Sequence, residues 1–199
     1  MADALLISNV FLWIVVIVLT VAVLALARQI GVLHERIRPV GALSLGKAIQ
    51  AGEEAPAFVL DSLTGGAISV GGRQADGRDQ LLFFLSPTCP VCKTVLPIAR
   101  ALAGSQSVRL VLASDGPVAE HQAFIARDGL DDLPYVLSAP LGMAYRIGKL
   151  PYAVLIAGSG RVIAHGLVNN REHLESLFEA RRLGLPDVQS AARVAAAGV

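Results

Sequence analysis

Cysteine is almost missing from this chain: its 199 residues hold two, Cys89 and Cys92. A disulfide-stapled scaffold needs several separated bridges, so the fold must rest on a hydrophobic core. An excess of one charge is lacking as well. Seventeen Lys and Arg stand against sixteen Asp and Glu, for a net +1 with His neutral. Nucleic acid is therefore not an expected partner, because phosphate recognition requires concentrated positive charge. Charged residues make up only 17% and aromatics 5%. The hydrophobic share is 54%, which excludes a largely disordered chain. At roughly 150 residues per domain, the length admits one domain with modest additions and excludes a large multidomain enzyme.

The apolar excess is concentrated at the front. No charge occurs from Ala4 to Ala27, and the 18 residues from Val10 to Ala27 have Thr20 as their one polar member. As a helix this run would rise about 27 Å, close to the roughly 30 Å hydrocarbon layer. A single transmembrane anchor over residues 5–27 is the expectation. A cleaved signal peptide is the competing reading, but no basic residue precedes the run and no small-x-small site leads to a clean mature start. Arg28, Arg36 and Arg38 all follow the run, which by the positive-inside rule would leave the large domain in the cytoplasm.

Residues 28–52 read as a linker, with Ile30, Leu33 and Ile37 on one helical face before Pro39 and Gly41 interrupt it. A globular domain is expected over 53–184, with a flexible tail over 185–199. Within the domain, Ala57–Leu60 and Ala67–Val70 are short strand candidates around a Gly65-Gly66 turn. Leu81 to Leu85 is continuously apolar, as a buried central strand should be. Val95, Leu96, Ala99 and Leu102 then mark a helix, Val108–Ala113 a strand, and Val118–Arg127 a second helix. Leu141–Arg146 reads as a short helix. Tyr152–Ala157 and Arg161–Leu167 should pair as an antiparallel hairpin around Gly158-Ser159-Gly160. A last helix over Arg171–Arg182 has Asn170 as its cap and Leu174, Leu177 and Phe178 on its buried face. The order implies an α/β fold with a central mixed sheet flanked by helices.

The chemistry gathers at Ser86-Pro87-Thr88-Cys89-Pro90-Val91-Cys92-Lys93, between the most hydrophobic strand and a helix. Parallel strands leave a crevice at such a position. Cys89 should stand at the helix N-terminus, where free backbone N–H groups and the helix dipole favour a thiolate. Cys92 should lie inside the first turn, more buried, and able to reach back. Cys89 would attack a substrate disulfide and Cys92 would resolve the mixed disulfide; in the oxidising direction a substrate thiolate attacks the bridged pair. Pro90 suits the first turn because its missing N–H costs nothing there.

Other readings of these residues are weaker. Zinc requires four ligands, and the chain adds only the scattered His34, His121, His165 and His173 to its two cysteines. A purely structural Cys89–Cys92 bridge would close too small a loop to contribute much by chain entropy. His121 and His173 fall in surface-helix patterns and are expected to be solvated, while His165 in the last strand is ambiguous. The Gly-rich pieces match neither a phosphate loop nor a dinucleotide fingerprint and read as turns. A peroxidase reading is poor, since Leu85 and Ser86 stand where a peroxidatic site needs proline and threonine. Pro151, in Lys149-Leu150-Pro151-Tyr152, enters the hairpin strand directly. It is either an ordinary trans proline at a strand's first residue, or a cis one that leaves the backbone of Leu150 facing the cysteine pair to hold an extended peptide.

Over residues 53–183 the chain resembles the membrane-tethered thioredoxin-like family, on LLFFLSPTCPVCK, the helix after it, KLPYAVLIAGSGRVIAHG and the closing helix. The anchor, ALSLGKAIQAGEEAPAF, SPTCPVCK and GLVNNREHLESLFEA narrow the resemblance to the accessory proteins of methylamine utilisation. The resemblance implies a thioredoxin-like fold preceded by one transmembrane helix. It implies an inner-membrane, single-pass placement with the domain in the periplasm, against the arginine pattern. It further implies a thiol–disulfide oxidoreductase that forms, isomerises or maintains disulfides during maturation of methylamine dehydrogenase, with the small subunit as partner and a membrane or periplasmic protein resetting the pair. Cys89 corresponds to the attacking cysteine, Cys92 to the resolving one, and Pro151 to a cis proline beside them. Leu150, Pro90 and Val91 are expected to meet substrate. No metal or organic cofactor is expected beyond a reversible Cys89–Cys92 disulfide.

Two departures stand out. Phe83 replaces the buried acid that thioredoxins usually carry in the strand before the pair, and Thr88 replaces the aromatic before the first cysteine. Proton transfer at Cys92 must then use water or another group. Alternatives to the maturation role are a reductant of apocytochrome c cysteines, a copper carrier binding the metal through Cys89, Cys92 and a histidine such as His165, or a nonredox assembly adaptor that works without the two cysteines.

Overall fold

The computed structural model describes residues 9, 11–21, 23 and 49–183. Two compact units divide the chain, Met1–Ser44 and Leu45–Val199, and every element labelled below lies in the second. The tail expected over 185–199, and the linker expected over 28–52 apart from its last four residues, lie outside the described residues.

The membrane-spanning helix expected over 5–27 is corrected. Among the described residues no helix is long and apolar enough to cross a membrane. The transmembrane part of the expected architecture falls accordingly. So do the single-pass inner-membrane placement with a periplasmic domain and the membrane anchoring expected of its partnerships.

The domain follows the expected order with one addition, a short strand at Tyr135–Leu137 that no sequence pattern marked. It runs β1 (Phe58–Asp61), β2 (Ala67–Val70), β3 (Gln80–Phe84), α1 (Pro90–Ser105), β4 (Arg109–Ser114), α2 (Val118–Asp128), β5 (Tyr135–Leu137), α3 (Ala139–Ala144), β6 (Tyr152–Ile156), β7 (Val162–Leu167) and α4 (Arg171–Leu183). Five strands form one sheet in the order β5-β4-β3-β6-β7. β3 pairs in parallel with β4, and β4 with β5; β3 pairs antiparallel with β6, and β6 with β7. β1 and β2 form a separate antiparallel hairpin.

β3 is buried along its whole length, as its unbroken apolar sequence requires of a strand covered on both faces. Its side chains divide by the two-residue period of a strand. Leu81, Phe83 and Leu85 join Cys92, Val95, Leu96 and Ala99 of α1, Phe124 and Ile125 of α2, Tyr135 of β5, and Leu174 and Leu177 of α4 in one core. Leu82 and Phe84 face the opposite way, into a second core with Val70, Leu141, Tyr145 and Ile49. Asn170 caps α4 as expected, its side-chain oxygen accepting from the His173 N–H at 2.9 Å.

Residues 52–64 hold both outer strands of the sheet. On β5, the Ser62 hydroxyl accepts from the Tyr135 N–H at 3.0 Å, the Leu63 N–H donates to the Tyr135 carbonyl at 2.8 Å, and the Thr64 hydroxyl donates to the Leu133 carbonyl at 2.8 Å. On β7, the Gly52 N–H donates to the Val162 carbonyl at 2.8 Å, and the Val162 N–H donates to the Glu53 carbonyl at 3.0 Å. Gly71 makes the close approach of β2 to this segment possible. Its φ is +68°, and a Cβ there would fall on the Pro56 carbonyl oxygen and the Tyr145 hydroxyl, so any other residue is excluded by both space and backbone conformation.

Candidate functional site

β3 delivers the chain to the site. The Leu85 N–H donates to the Ala113 carbonyl at 3.0 Å, extending the parallel ladder by one step, and the Ser114 hydroxyl donates to the Leu85 carbonyl at 2.8 Å. A tight turn follows, closed by the Cys89 N–H on the Ser86 carbonyl at 3.1 Å and by the paired hydroxyls of Ser86 and Thr88 at 3.0 Å. Cys89 is the N-cap of α1, with extended backbone (φ −82°, ψ 113°), and Pro90 occupies the first helical turn. A cap side chain ordinarily accepts from the N–H two or three residues on. Here the acceptor is sulfur: the Cys92 N–H donates to Cys89 Sγ at 3.2 Å.

The two thiols differ as the spacing predicts. Both are free, Cys89 half-buried and Cys92 buried at 1% exposure. Burial pushes the Cys92 thiol up to about 12 from 9.0, helped by its hydrogen bond with Cys89 and opposed by the backbone amide of Ser86. Desolvation penalises the thiolate more than the thiol, which fixes the sign. The outer sulfur thus meets solvent and the helix N-terminus, while the inner one stays protonated behind it. Such a pair can pass between two thiols and one disulfide.

Pro151 is brought to the same end of the sheet. Tyr152, the next residue, lies opposite Phe84 in the β3–β6 register, and the Pro151 carbonyl accepts from the Val168 N–H at 3.0 Å. The Leu150–Pro151 bond is cis, in line with the resemblance. Val91 and Leu150 are each 39% exposed and Pro90 is exposed, so the expected substrate-facing residues offer apolar surface rather than polar contacts.

The copper set of Cys89, Cys92 and His165 is not assembled: among the described residues no three His, Cys, Asp or Glu side chains converge to hold a metal ion. His165 instead pairs through Nδ1 with the Tyr152 hydroxyl at 2.8 Å, the two rings stacked 6.2 Å apart. A depression of about 680 Å³ is lined by Leu102, Gln106, Glu175, Phe178, Glu179, Arg181 and Arg182. It sits against the C-terminal half of α1, away from the cysteines. Cys89 lies half-buried outside that depression.

His121 departs from expectation. It is 1% exposed, its Nδ1 paired with the Tyr135 hydroxyl at 2.8 Å and its Nε2 with the Asp115 carbonyl at 3.0 Å. The missed signal was its helical spacing with Phe124 and Ile125, the other two buried residues of α2, which puts all three on one face.

No protein-family model matches the chain. Its fold is shared with the thioredoxin domain of a thiol-disulfide oxidoreductase from Bacteroides vulgatus, at a TM-score of 0.55 and 18% identity, over 65% of this chain and 96% of that one. The sequence is 42% identical over 189 residues to the methylamine utilization protein MauD of Paracoccus denitrificans, spanning 95% of this chain and 94% of the relative. It is 44% identical over 182 residues to MauD of Methylorubrum extorquens, spanning 92% and 89%. Identity of this extent, carried along nearly the whole length of each relative, shows that the chain belongs to the MauD family, built on a thioredoxin-like fold.

Proposed function

We propose that the protein is a thiol–disulfide oxidoreductase that forms, isomerises or maintains disulfides in the small subunit of methylamine dehydrogenase during its maturation. The observation that carries the reading is the sulfur-capped start of α1, where the Cys92 N–H donates to Cys89 Sγ at 3.2 Å and Cys92 lies buried directly behind. Family membership supplies the link to methylamine utilisation.

In the reducing direction the Cys89 thiolate attacks one sulfur of a substrate disulfide, and the other substrate sulfur leaves as a thiolate. Cys92, deprotonated, then attacks Cys89 Sγ. The Cys89–substrate bond breaks, the second substrate thiolate departs, and two electrons have passed from the pair to the substrate. The oxidising direction runs these steps backwards, and isomerisation returns the pair to its thiols. In this reading the backbone of Leu150, before Pro151, holds an extended substrate segment, and the exposed Val91 and Pro90 supply an apolar rim for it.

The test is the reduction potential of the pair in the full-length protein, equilibrated against glutathione. A value in the oxidising range of roughly −120 to −180 mV supports disulfide formation or isomerisation. A value near −270 mV, about that of thioredoxin, favours the reductant of apocytochrome cysteines instead. In parallel, Cys92→Ser should trap the small subunit as a mixed disulfide that dithiothreitol releases. A pair that never forms a reversible disulfide overturns the reading and leaves the nonredox adaptor.

A further inference from the structure

The segment Val168-Asn169-Asn170-Arg171 joins β7 to α4 and takes no part in the exchange of electrons. The register of the sheet nevertheless brings it to the cysteine end. Leu167, the last residue of β7, lies opposite Tyr152, and Tyr152 lies opposite Phe84 at the end of β3. Val168 is buried and donates its N–H to the Pro151 carbonyl at 3.0 Å. Asn169 is therefore one residue beyond a direct bond to the proline that follows Leu150.

Hydrogen bonds pin this turn from several sides. Besides the one to Pro151, the Asn170 side-chain oxygen accepts from the His173 N–H at 2.9 Å, and His173 Nδ1 accepts from the Asn169 N–H at 3.3 Å. The last two are reciprocal, in the manner of a capping box with histidine at its third helical position. The two asparagines then differ. Turns favour asparagine because its side chain bonds nearby backbone. Asn170 does so, whereas no hydrogen bond among the described residues uses the Asn169 side chain. Asn169 is exposed, and its amide keeps two N–H donors and a carbonyl acceptor unspent on a fixed backbone. Local turn chemistry accounts for one asparagine and leaves the other free to meet a group outside the chain.

A primary amide carries donor and acceptor side by side. That is the complement of a peptide unit, and it matches the main chain of an extended segment without reading its sequence. We infer that Asn169 is a specificity-determining residue, pairing with the main chain of an extended substrate segment while the cysteine of that segment engages Cys89. The inference rests on the redox reading of the cysteine pair. It adds the class of substrate selected: a disulfide carried on an extended, accessible backbone, in preference to a small disulfide.

The sheet also sets the register of the contact. Asn169 follows β7, two strands from β3, which is about 10 Å at the usual strand spacing. An extended chain covers that distance in about three residues. The peptide unit that meets Asn169 thus lies about three residues from the substrate cysteine. Because the turn is fixed before the segment arrives, little ordering entropy opposes the contact.

The experiment follows thionitrobenzoate release from two activated disulfides by the reduced full-length protein. One is a short peptide of alanine, valine and threonine whose central cysteine carries thionitrobenzoate. The other is N-acetylcysteinamide carrying the same group, so the leaving thiolate is identical. Cys89 attacks the cysteine sulfur of either probe, thionitrobenzoate departs, and Cys92 then displaces the captured probe. The parent should reach half-saturation at a lower concentration of the peptide than of the small probe. Asn169→Ala should raise the value for the peptide about fivefold to tenfold, the worth of one or two hydrogen bonds. It should leave the limiting rate with the peptide and the rate with N-acetylcysteinamide unchanged. A copy of the peptide N-methylated beyond the residues next to cysteine should bind the parent as weakly as the plain peptide binds Asn169→Ala, with no further loss in that variant. Asn169→Gln, which keeps the amide, should recover part of the loss. An unchanged half-saturation for the peptide in Asn169→Ala, or an equal loss with both probes, overturns the inference and leaves the redox reading intact. A parent in which Cys92 never displaces the captured probe overturns both.

Discussion

The buried thiol of Cys92 should make the reduced protein lose stability in alkali, by an amount the structure sets. Its folded-state value is raised to about 12 against 9.0 for a free thiol, so the native state keeps its proton where the unfolded chain has released it. A raised value gives stability that is complete below the unfolded pKa and fades as pH climbs toward the folded one, here from about 9 to about 12. At pH 10 the unfolded thiol is mostly ionised and the folded one hardly at all, which removes on the order of 1 kcal/mol relative to pH 7. The full difference of three units sets a ceiling of about 4 kcal/mol. Urea unfolding of reduced protein and of Cys92→Ala, each at pH 7 and pH 10, isolates this contribution. Burial also raises Tyr135 and Tyr145, and they weaken both proteins alike. Cys92→Ala begins less stable because of the cavity it leaves, but the gap between the two should narrow by on the order of 1 kcal/mol at the higher pH. Parallel losses would refute the reasoning, for Cys92 would then ionise as readily in the native state as in the unfolded chain.

Further outcomes follow from the packing. Gly71→Ala places a methyl group on the Pro56 carbonyl oxygen and the Tyr145 hydroxyl, at a φ of +68°; a loss of about 2 kcal/mol or more in chemical denaturation is expected. Arg100→Ala breaks the ion pair with Asp132, whose side chains are 45% and 59% exposed, and should change stability by less than about 1 kcal/mol in the same assay. Leu150→Glu, at a half-exposed position, should leave the melting temperature near that of the parent while slowing mixed-disulfide formation with the dehydrogenase small subunit; an unchanged rate would remove Leu150 from the substrate surface.

Much of the domain was legible because its strongest signals are local. Leu81 to Leu85 can be buried only as a central strand, Gly158-Ser159-Gly160 can only turn, and two cysteines three apart after that strand can only open a helix. The parts that escaped depend on partners distant in sequence. β5 is three residues long and follows Pro134, so no periodicity marks it; it is a strand because β4 and Ser62 pair with it. His121 was read as solvated, and it is buried because Tyr135 and the Asp115 carbonyl satisfy both ring nitrogens. The anchor expectation failed for another reason. Hydropathy over 5–27 reports composition, whereas among the described residues no helix is long and apolar enough to cross a membrane. At the site, residue types and spacing assigned the two sulfurs to different environments, but the depth of Cys92 required the packed core.

The grip of residues 52–64 on both outer strands governs how this protein can associate. An uncovered strand offers its row of N–H and C=O groups to any chain that passes, which invites fibrils and swapped dimers. Here the Tyr135 amide and carbonyl on one margin, and those of Val162 on the other, are already engaged within the same molecule. At Tyr135 and at Val162 no free backbone group is left to offer, so a passing strand meets a ladder already interrupted on each margin.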